Sequence, residues 1–239
     1  MTTTALSPPL RAAGLRLEKL RASWLYDMLM RLPILGWATL IVLESVARLQ
    51  HYLETADPML SALAYSVNIT MRLSTIAFCA LIVGTVVLRL RPAAKARGIE
   101  PRLSALFGTF LASALVFFPR CDLPLAAEVA SILLIVAGNA LATAALLQLG
   151  RSFSIMPEAR RLVTSGIYGF VRHPLYLAEE LAVIGILMQF LSGATILLCA
   201  AHMAFQLRRI QNEETVLGGA FAEYRAYSQR TARLVPGIY

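Results

Sequence analysis

The chain has 239 residues, of which 58% are hydrophobic and only 15% charged, with a formal net charge of +8 and a mean hydropathy of +0.66. Soluble domains carry about 25% charged residues, so this composition excludes an ordinary soluble protein and indicates an integral membrane protein. The positive balance does not point to nucleic acid, because the basic residues sit in short blocks flanking apolar runs, the pattern that sets membrane topology.

The chain opens with a small polar stretch, Met1 to Pro9, followed by a basic segment, Arg11 to Arg31, whose apolar residues are spaced as on an amphipathic helix. An interfacial helix is expected there. A cleavable signal peptide is not, because the first apolar run begins only after Arg31. Runs suited to helical spans then follow at Leu32 to Leu49, Leu73 to Leu88, Leu103 to Phe118, Leu123 to Leu149, Tyr176 to Phe190 and Ala194 to Leu207. A bilayer core takes roughly 20 apolar residues per helix, so the last two are short, and their shortness leaves full or partial crossing open. Ser192-Gly193 between them reads as the turn of a helical hairpin.

The expected fold is therefore an all-α polytopic bundle of about six spans, as one membrane unit without internal repeats. Its parts are the basic N-terminal segment 1–31, the first four spans 32–149, and a core 150–239 holding a polar loop, the hairpin and a C-terminal segment. The basic blocks Arg11 to Arg31, Arg89 to Arg102, Arg151 to Arg172 and Arg208 to Arg233 fall on alternate sides of successive spans. Loops rich in Lys and Arg stay cytoplasmic. Both termini are thus expected in the cytoplasm, with the chain in a membrane of the bacterial inner type. Composition does not report the oligomeric state.

Polar residues inside apolar runs need partners. Glu44 and Arg48, spaced i,i+4, are expected to pair on one helix face. Asn139 is expected to join two helices by hydrogen bonding, and Glu128 to lie near enough to the outer surface to stay wet. His202 reads as a hydrogen-bonded core residue. Cys79, Cys121 and Cys199 lack metal spacing and read as small apolar fillers; no metal site is expected.

The densest polarity lies in Gly166-Ile-Tyr-Gly-Phe-Val-Arg-His-Pro-Leu-Tyr176, with Glu213-Glu214 some forty residues later. Ionisable groups in so apolar a chain cost several kcal/mol unless paired or hydrated, so they mark a functional site. Pro174 suits the first turn of a helix, whose free N–H groups attract an anion. Arg172 adds a forked donor for a carboxylate, and Gly166 and Gly169 permit tight turning. Glu213 and Glu214 also follow Arg208-Arg209 by one turn, as on a solvated charged helix end. A hairpin, however, returns the acids to the side of Arg172-His173. One site then offers cations for a carboxylate, carboxylates for an ammonium or ribose hydroxyls, and tyrosine rings for a base or a sulfonium, which are the needs of S-adenosylmethionine.

At these residues the chain resembles a known family. Thr164-Ser-Gly-Ile-Tyr-Gly-Phe-Val-Arg-His-Pro-Leu-Tyr176, Glu213-Glu214, Phe221-Ala-Glu-Tyr224, Tyr227 and Leu234-Val-Pro236, together with Leu149-Gly-Arg-Ser-Phe153, are similar to the C-terminal core of the isoprenylcysteine carboxyl methyltransferases, relatives of membrane phospholipid methyltransferases. The likeness covers roughly 149–236. It implies a membrane enzyme that holds S-adenosylmethionine in a cytoplasm-facing pocket and admits a lipophilic or lipidated acceptor from the membrane. Carried over by residue, Gly166, Tyr168, Arg172, His173, Pro174 and Tyr176 would line the cofactor, and Glu213 and Glu214 would complete the pocket. Arg151 and Arg172 are the candidates to orient an anionic acceptor or the cofactor carboxylate. The acceptor could be an isoprenylcysteine carboxylate, a phospholipid amine or a small thiol. A rival of another class is a nicotinamide-dependent reductase similar to the sterol reductases, which share an Arg-His loop but typically have asparagine at the position of Leu175. A further rival is a membrane protein without catalysis, whose polar clusters only set topology.

Overall fold

The structure is a computed structural model that describes residues 24–55 and 62–237. Most of the expected interfacial helix lies outside the described residues; its end forms the short helix α1 (Trp24–Leu29). There follow α2 (Leu32–Thr55), α3 (Ala62–Val87), α4 (Glu100–Phe110), α5 (Leu125–Leu149), α6 (Pro174–Gln189), α7 (Gly193–Ala220) and α8 (Tyr224–Arg230). A pair of two-residue strands, β1 (Ala94–Lys95) and β2 (Glu158–Ala159), joins antiparallel in the segments that follow α3 and α5. The all-α class expected from composition is therefore the one observed.

Three helical stretches are long and apolar enough to cross a membrane: Leu25–Thr55, Tyr65–Val87 and Leu125–Ser152. The third apolar run departs from a simple span, because α4 tightens at its end into a 3-10 helix, Leu111–Phe117. The sixth run is only the first half of α7, which continues through a polar half bearing Glu213 and Glu214. The turn between α6 and α7 lies where expected, fixed by a capping box in which Ser192 and Thr195 exchange hydrogen bonds. The two helices nonetheless diverge. α6 packs mainly along α5, and α7 mainly along α4, so a large cavity opens between them.

Small residues let α5 and α6 close. A Cβ on Gly138 would lie 2.7 Å from the Ala182 backbone nitrogen, and one on Gly185 would lie 2.7 Å from the Ser131 carbonyl oxygen. Ser131 Oγ donates to the Gly185 carbonyl at 2.7 Å and accepts from Gln189 at 2.8 Å. In a membrane, close backbone approach and such bonds replace the hydrophobic force between helices. Gly185→Val should therefore cost at least about 1–3 kcal/mol through overpacking, whereas Gly84→Ala, where a Cβ meets nothing within 4 Å, should not destabilise. Thermal unfolding of the two variants in detergent checks the contrast.

The intramembrane polar residues also find partners. Asn139 donates to Thr75 at 3.0 Å and to Ser74 at 3.2 Å, tying α5 to α3. Arg48 and Glu44 form the expected one-turn pair at 2.5 Å. His202 is buried, as expected, with Nε2 3.0 Å from a Glu180 carboxylate oxygen, but the expected hydrogen bond is not formed, since neither ring nitrogen has a partner in bonding geometry among the described residues.

Candidate active site

The site is built where the segment after α5 folds over the start of α6 and the polar half of α7. Gly166 adopts a φ of +62°, and a Cβ there would fall 2.2 Å from Gln148 Oε1. That same oxygen accepts from the Ile167 N–H at 2.9 Å, so Gly166 lets a 3-10 turn (Gly166–Gly169) sit against the end of α5. Any other residue would be strained at this φ. The chain then runs beside the C-terminal segment, with the Arg172 N–H donating to the Ala232 carbonyl at 2.8 Å and the His173 N–H to the Arg233 carbonyl at 3.1 Å. Pro174 begins α6 at its first turn, as its missing N–H allows.

Glu214 is the hub of this arrangement. It accepts from Arg172 Nε at 2.9 Å, from His173 Nε2 at 3.2 Å and from Arg233 Nη2 at 2.7 Å. Burial pushes its carboxyl up, but the hydrogen bonds from His173 and Arg233 and the neighbouring positive charges prevail and hold it at about 2. Arg172 is used up as well: its Nη1 donates to the Ser228 carbonyl at 2.6 Å and to that of Thr231. Tyr176 donates to Glu213 at 2.6 Å, and Tyr227 donates to the Tyr168 carbonyl at 2.7 Å. Burial pushes the Tyr168 and Tyr224 phenols well up and that of Tyr227 to about 12. These rings are neutral hydrogen-bonding faces, not bases.

Between them lies a cleft with a cavity of about 60 Å³. One wall is the strap Ser152, Phe153, Ser154, Met156, Glu158 and Arg160; the other holds Tyr168, Arg172, His173, Tyr176, Glu213, Tyr224 and Tyr227. Of the residues read from the sequence, Tyr168, Arg172, His173, Tyr176 and Glu213 are thus brought together along the cleft. Glu214 stands behind them as a clamp, and Gly166 and Pro174 shape the backbone without lining it. Arg151 lies elsewhere. It is exposed, and its Nε donates to the Leu88 carbonyl at 2.6 Å, closing the end of α3. Glu213 and Glu214 do not pair with Arg208-Arg209 as on a solvated helix end. Arg208 instead reaches Glu100 at 2.8 Å.

Arg209, Glu158 and Arg160 belong to the site region but were read from the sequence only as members of charged blocks. Arg209 is 2% exposed, and its guanidinium lies 4.7 Å from the centre of the Tyr176 ring. It also lines the second cavity, of about 440 Å³, which lies among α2 to α7. Its walls include Trp37, Phe78, Ile132 and Ile186, with Glu179, His202 and Arg209 toward the cleft and Arg48, Arg72 and Arg120 at the opposite end. Arg209 and Tyr176 thus form the partition between an apolar cavity and a polar cleft. A sequence signal for Arg209 existed in its position beside the apolar end of the sixth run; which side it faced was not encoded there.

Most of both walls, though not Tyr224 and Tyr227, lies in a segment matched by a known family. Residues 131–218 match the sequence model of the isoprenylcysteine carboxyl methyltransferase family. The family that the sequence resembles is therefore the one whose model it matches. The chain is 34% identical over 110 residues to the protein-S-isoprenylcysteine O-methyltransferase of Schizosaccharomyces pombe, a match covering 42% of this chain and 46% of that protein. It is 36% identical over 78 residues to the cobalt-zinc-cadmium resistance protein CzcN of Cupriavidus metallidurans, covering 32% of this chain and 36% of that one. The chain thus spans less than half the length of either relative. The helices α2, α3 and α4 lie outside the family match. Among the described residues no group of three or more His, Cys, Asp and Glu side chains is placed to hold a metal ion.

Proposed function

We propose that this chain is an integral membrane methyltransferase that uses S-adenosylmethionine and methylates a lipophilic acceptor, with an isoprenylcysteine α-carboxylate as the first acceptor to test. The observation that supports it is the meeting of Arg172-His173 and Glu213-Glu214 in one aromatic-lined cleft that adjoins a large apolar cavity. The family match and the name of the Schizosaccharomyces pombe relative support the same reading.

The residues present fit such a cofactor. Glu213 accepts from Tyr176 through Oε2, which leaves its other oxygen for a ligand hydroxyl or ammonium, and tyrosine faces suit an adenine ring or a sulfonium. S-adenosylmethionine supplies a methyl group activated on a sulfonium centre, so the protein's work is proximity, alignment and exclusion of water. Tyr168, Tyr176 and Tyr227, buried and neutral, close the cleft against water. Arg209, at the partition, is the cation that would draw an anionic head from the cavity toward the cleft. An ionised carboxylate needs no base, and an approach governed by a buried guanidinium favours it over an ammonium. The cleft's cavity is small, so binding requires the strap Ser152–Val163 or the C-terminal segment to move outward.

The test is transfer of a labelled methyl group from S-adenosylmethionine by the purified protein to a panel of prenylcysteines, phospholipid amines and small thiols. The expected product is a base-labile methyl ester on a prenylcysteine. Labelling of amines or thiols instead would replace the acceptor assignment, and no labelling of any acceptor would contradict the function.

A further inference from the structure

The strap wall of the cleft carries more buried positive charge than its acids balance. Four cations gather on two carboxylates there. Asp27 receives Arg89 at 2.6 Å, Arg31 at 2.7 Å and Arg160 at 3.7 Å; Glu158 receives Arg160 through a short bond and Lys95 at 3.9 Å. The Arg160 side chain is 0% exposed, and its Nε and Nη1 are buried without a hydrogen-bond partner among the described residues. A guanidinium cannot shed its charge, and buried donors left without partners are costly, more so when charged. A fixed cation with two open donors on the wall of a cleft is a site awaiting an anion.

Three other arginines near the cleft are placed differently. Arg172 commits its Nε and Nη1 to Glu214 and two backbone carbonyls, Arg161 is exposed, and Arg151 points to the end of α3. Beside Arg160 stands a complementary acid. Glu158 Oε2 takes Arg160 and the Ser154 hydroxyl, the latter at 2.9 Å, while Oε1 lies 3.9 Å from Lys95 Nζ. We propose that Arg160 and Glu158 form a subsite for a zwitterionic α-amino acid terminus, Arg160 taking its carboxylate and Glu158 Oε1 its ammonium. The ligand is named on the reading that the cleft binds S-adenosylmethionine, whose methionine end carries both groups; the subsite itself stands on the unpartnered arginine. The nucleoside end then lies toward the tyrosines of the opposite wall.

The experiment compares two ligands by calorimetric titration of the purified full-length protein: S-adenosylhomocysteine, which has the amino acid terminus, and 5′-methylthioadenosine, which lacks it. The wild type should bind S-adenosylhomocysteine at least tenfold more tightly. Arg160→Gln should lower that affinity at least tenfold while leaving the affinity for 5′-methylthioadenosine unchanged, so that the preference collapses. Arg160→Lys keeps the charge and the pairing with Glu158 but loses the fork; it covers the case in which Arg160→Gln does not fold, and should reduce the preference severalfold. A preference unchanged in Arg160→Lys or in folded Arg160→Gln would overturn the subsite, as would equal loss of both ligands. A wild type that binds neither ligand would instead overturn the cofactor reading on which the ligand's name rests.

Discussion

Glu214→Ala should destabilise the protein by about 3–5 kcal/mol, the usual cost of removing one partner from a buried charge cluster. The carboxylate is the shared acceptor of Arg172, His173 and Arg233. Its removal leaves the cations of Arg172 and Arg233 facing one another at the seam between the α6 loop and the C-terminal segment. Limited proteolysis should then cut near 228–237, while α2 to α5 stay protected. Glu214→Gln keeps the shape and loses the charge, so a smaller loss is expected. The same residue gives the site a pH dependence. Its carboxyl falls from an ordinary 4.5 to about 2 in the folded protein, so its contribution is complete above about 4.5 and disappears as the pH falls through 2. Acid titration of the wild type followed by tryptophan fluorescence should show this loss, and Glu214→Gln should lack it.

The second large effect is expected at Arg209. It is among the largest fully buried side chains, it covers the Tyr176 ring, and it interacts electrostatically with Glu179, which also accepts from Gln206 at 3.0 Å. Arg209→Leu strips the cation from this partition and leaves the half-buried Glu179 without it, a change of about 1–3 kcal/mol, the cost of a desolvated polar group left unpaired. Arg209→Lys is the more telling variant. The ammonium keeps the charge but cannot lie flat on the ring or present two parallel donors. It should fold, yet lower kcat/KM for methyl transfer to a carboxylate acceptor roughly hundredfold, about 2.7 kcal/mol of transition-state binding. Steady-state kinetics of the folded variant checks this. Unaltered kcat/KM would remove Arg209 from acceptor recognition.

These two residues also show what the sequence encodes plainly and what it does not. The apolar runs announce their helices because bilayer-facing helices need little beyond length and apolarity, and the polar loop stands out because charge is rare around it. Arg172, His173, Glu213 and Tyr176 could be linked because a short turn at Ser192-Gly193 returns the chain to one side. The divergence of α6 and α7 was not legible, since it depends on the fit of Gly138 and Gly185 across α5 and α6, a pairing of residues far apart in the chain. Nor was the tightening after Phe110, where the apolar pattern continues unbroken. Arg160 is the sharpest case. In sequence it is one arginine in a topogenic block beside Arg161, but the first lies buried on the cleft wall and the second is exposed. Only the short pairing of β1 with β2 and the fold of the strap separate them.

Ligand-induced stabilisation shows whether the cleft between the strap and the α6 loop binds S-adenosylmethionine. Detergent-purified protein is unfolded thermally with S-adenosylhomocysteine, with NADPH, or with neither. At 100 times its dissociation constant, a ligand of the folded state alone adds about 2.7 kcal/mol. That rise is expected with S-adenosylhomocysteine, with a weaker one in Glu213→Gln and no response to NADPH. Stabilisation by NADPH without stabilisation by S-adenosylhomocysteine would contradict binding of S-adenosylmethionine.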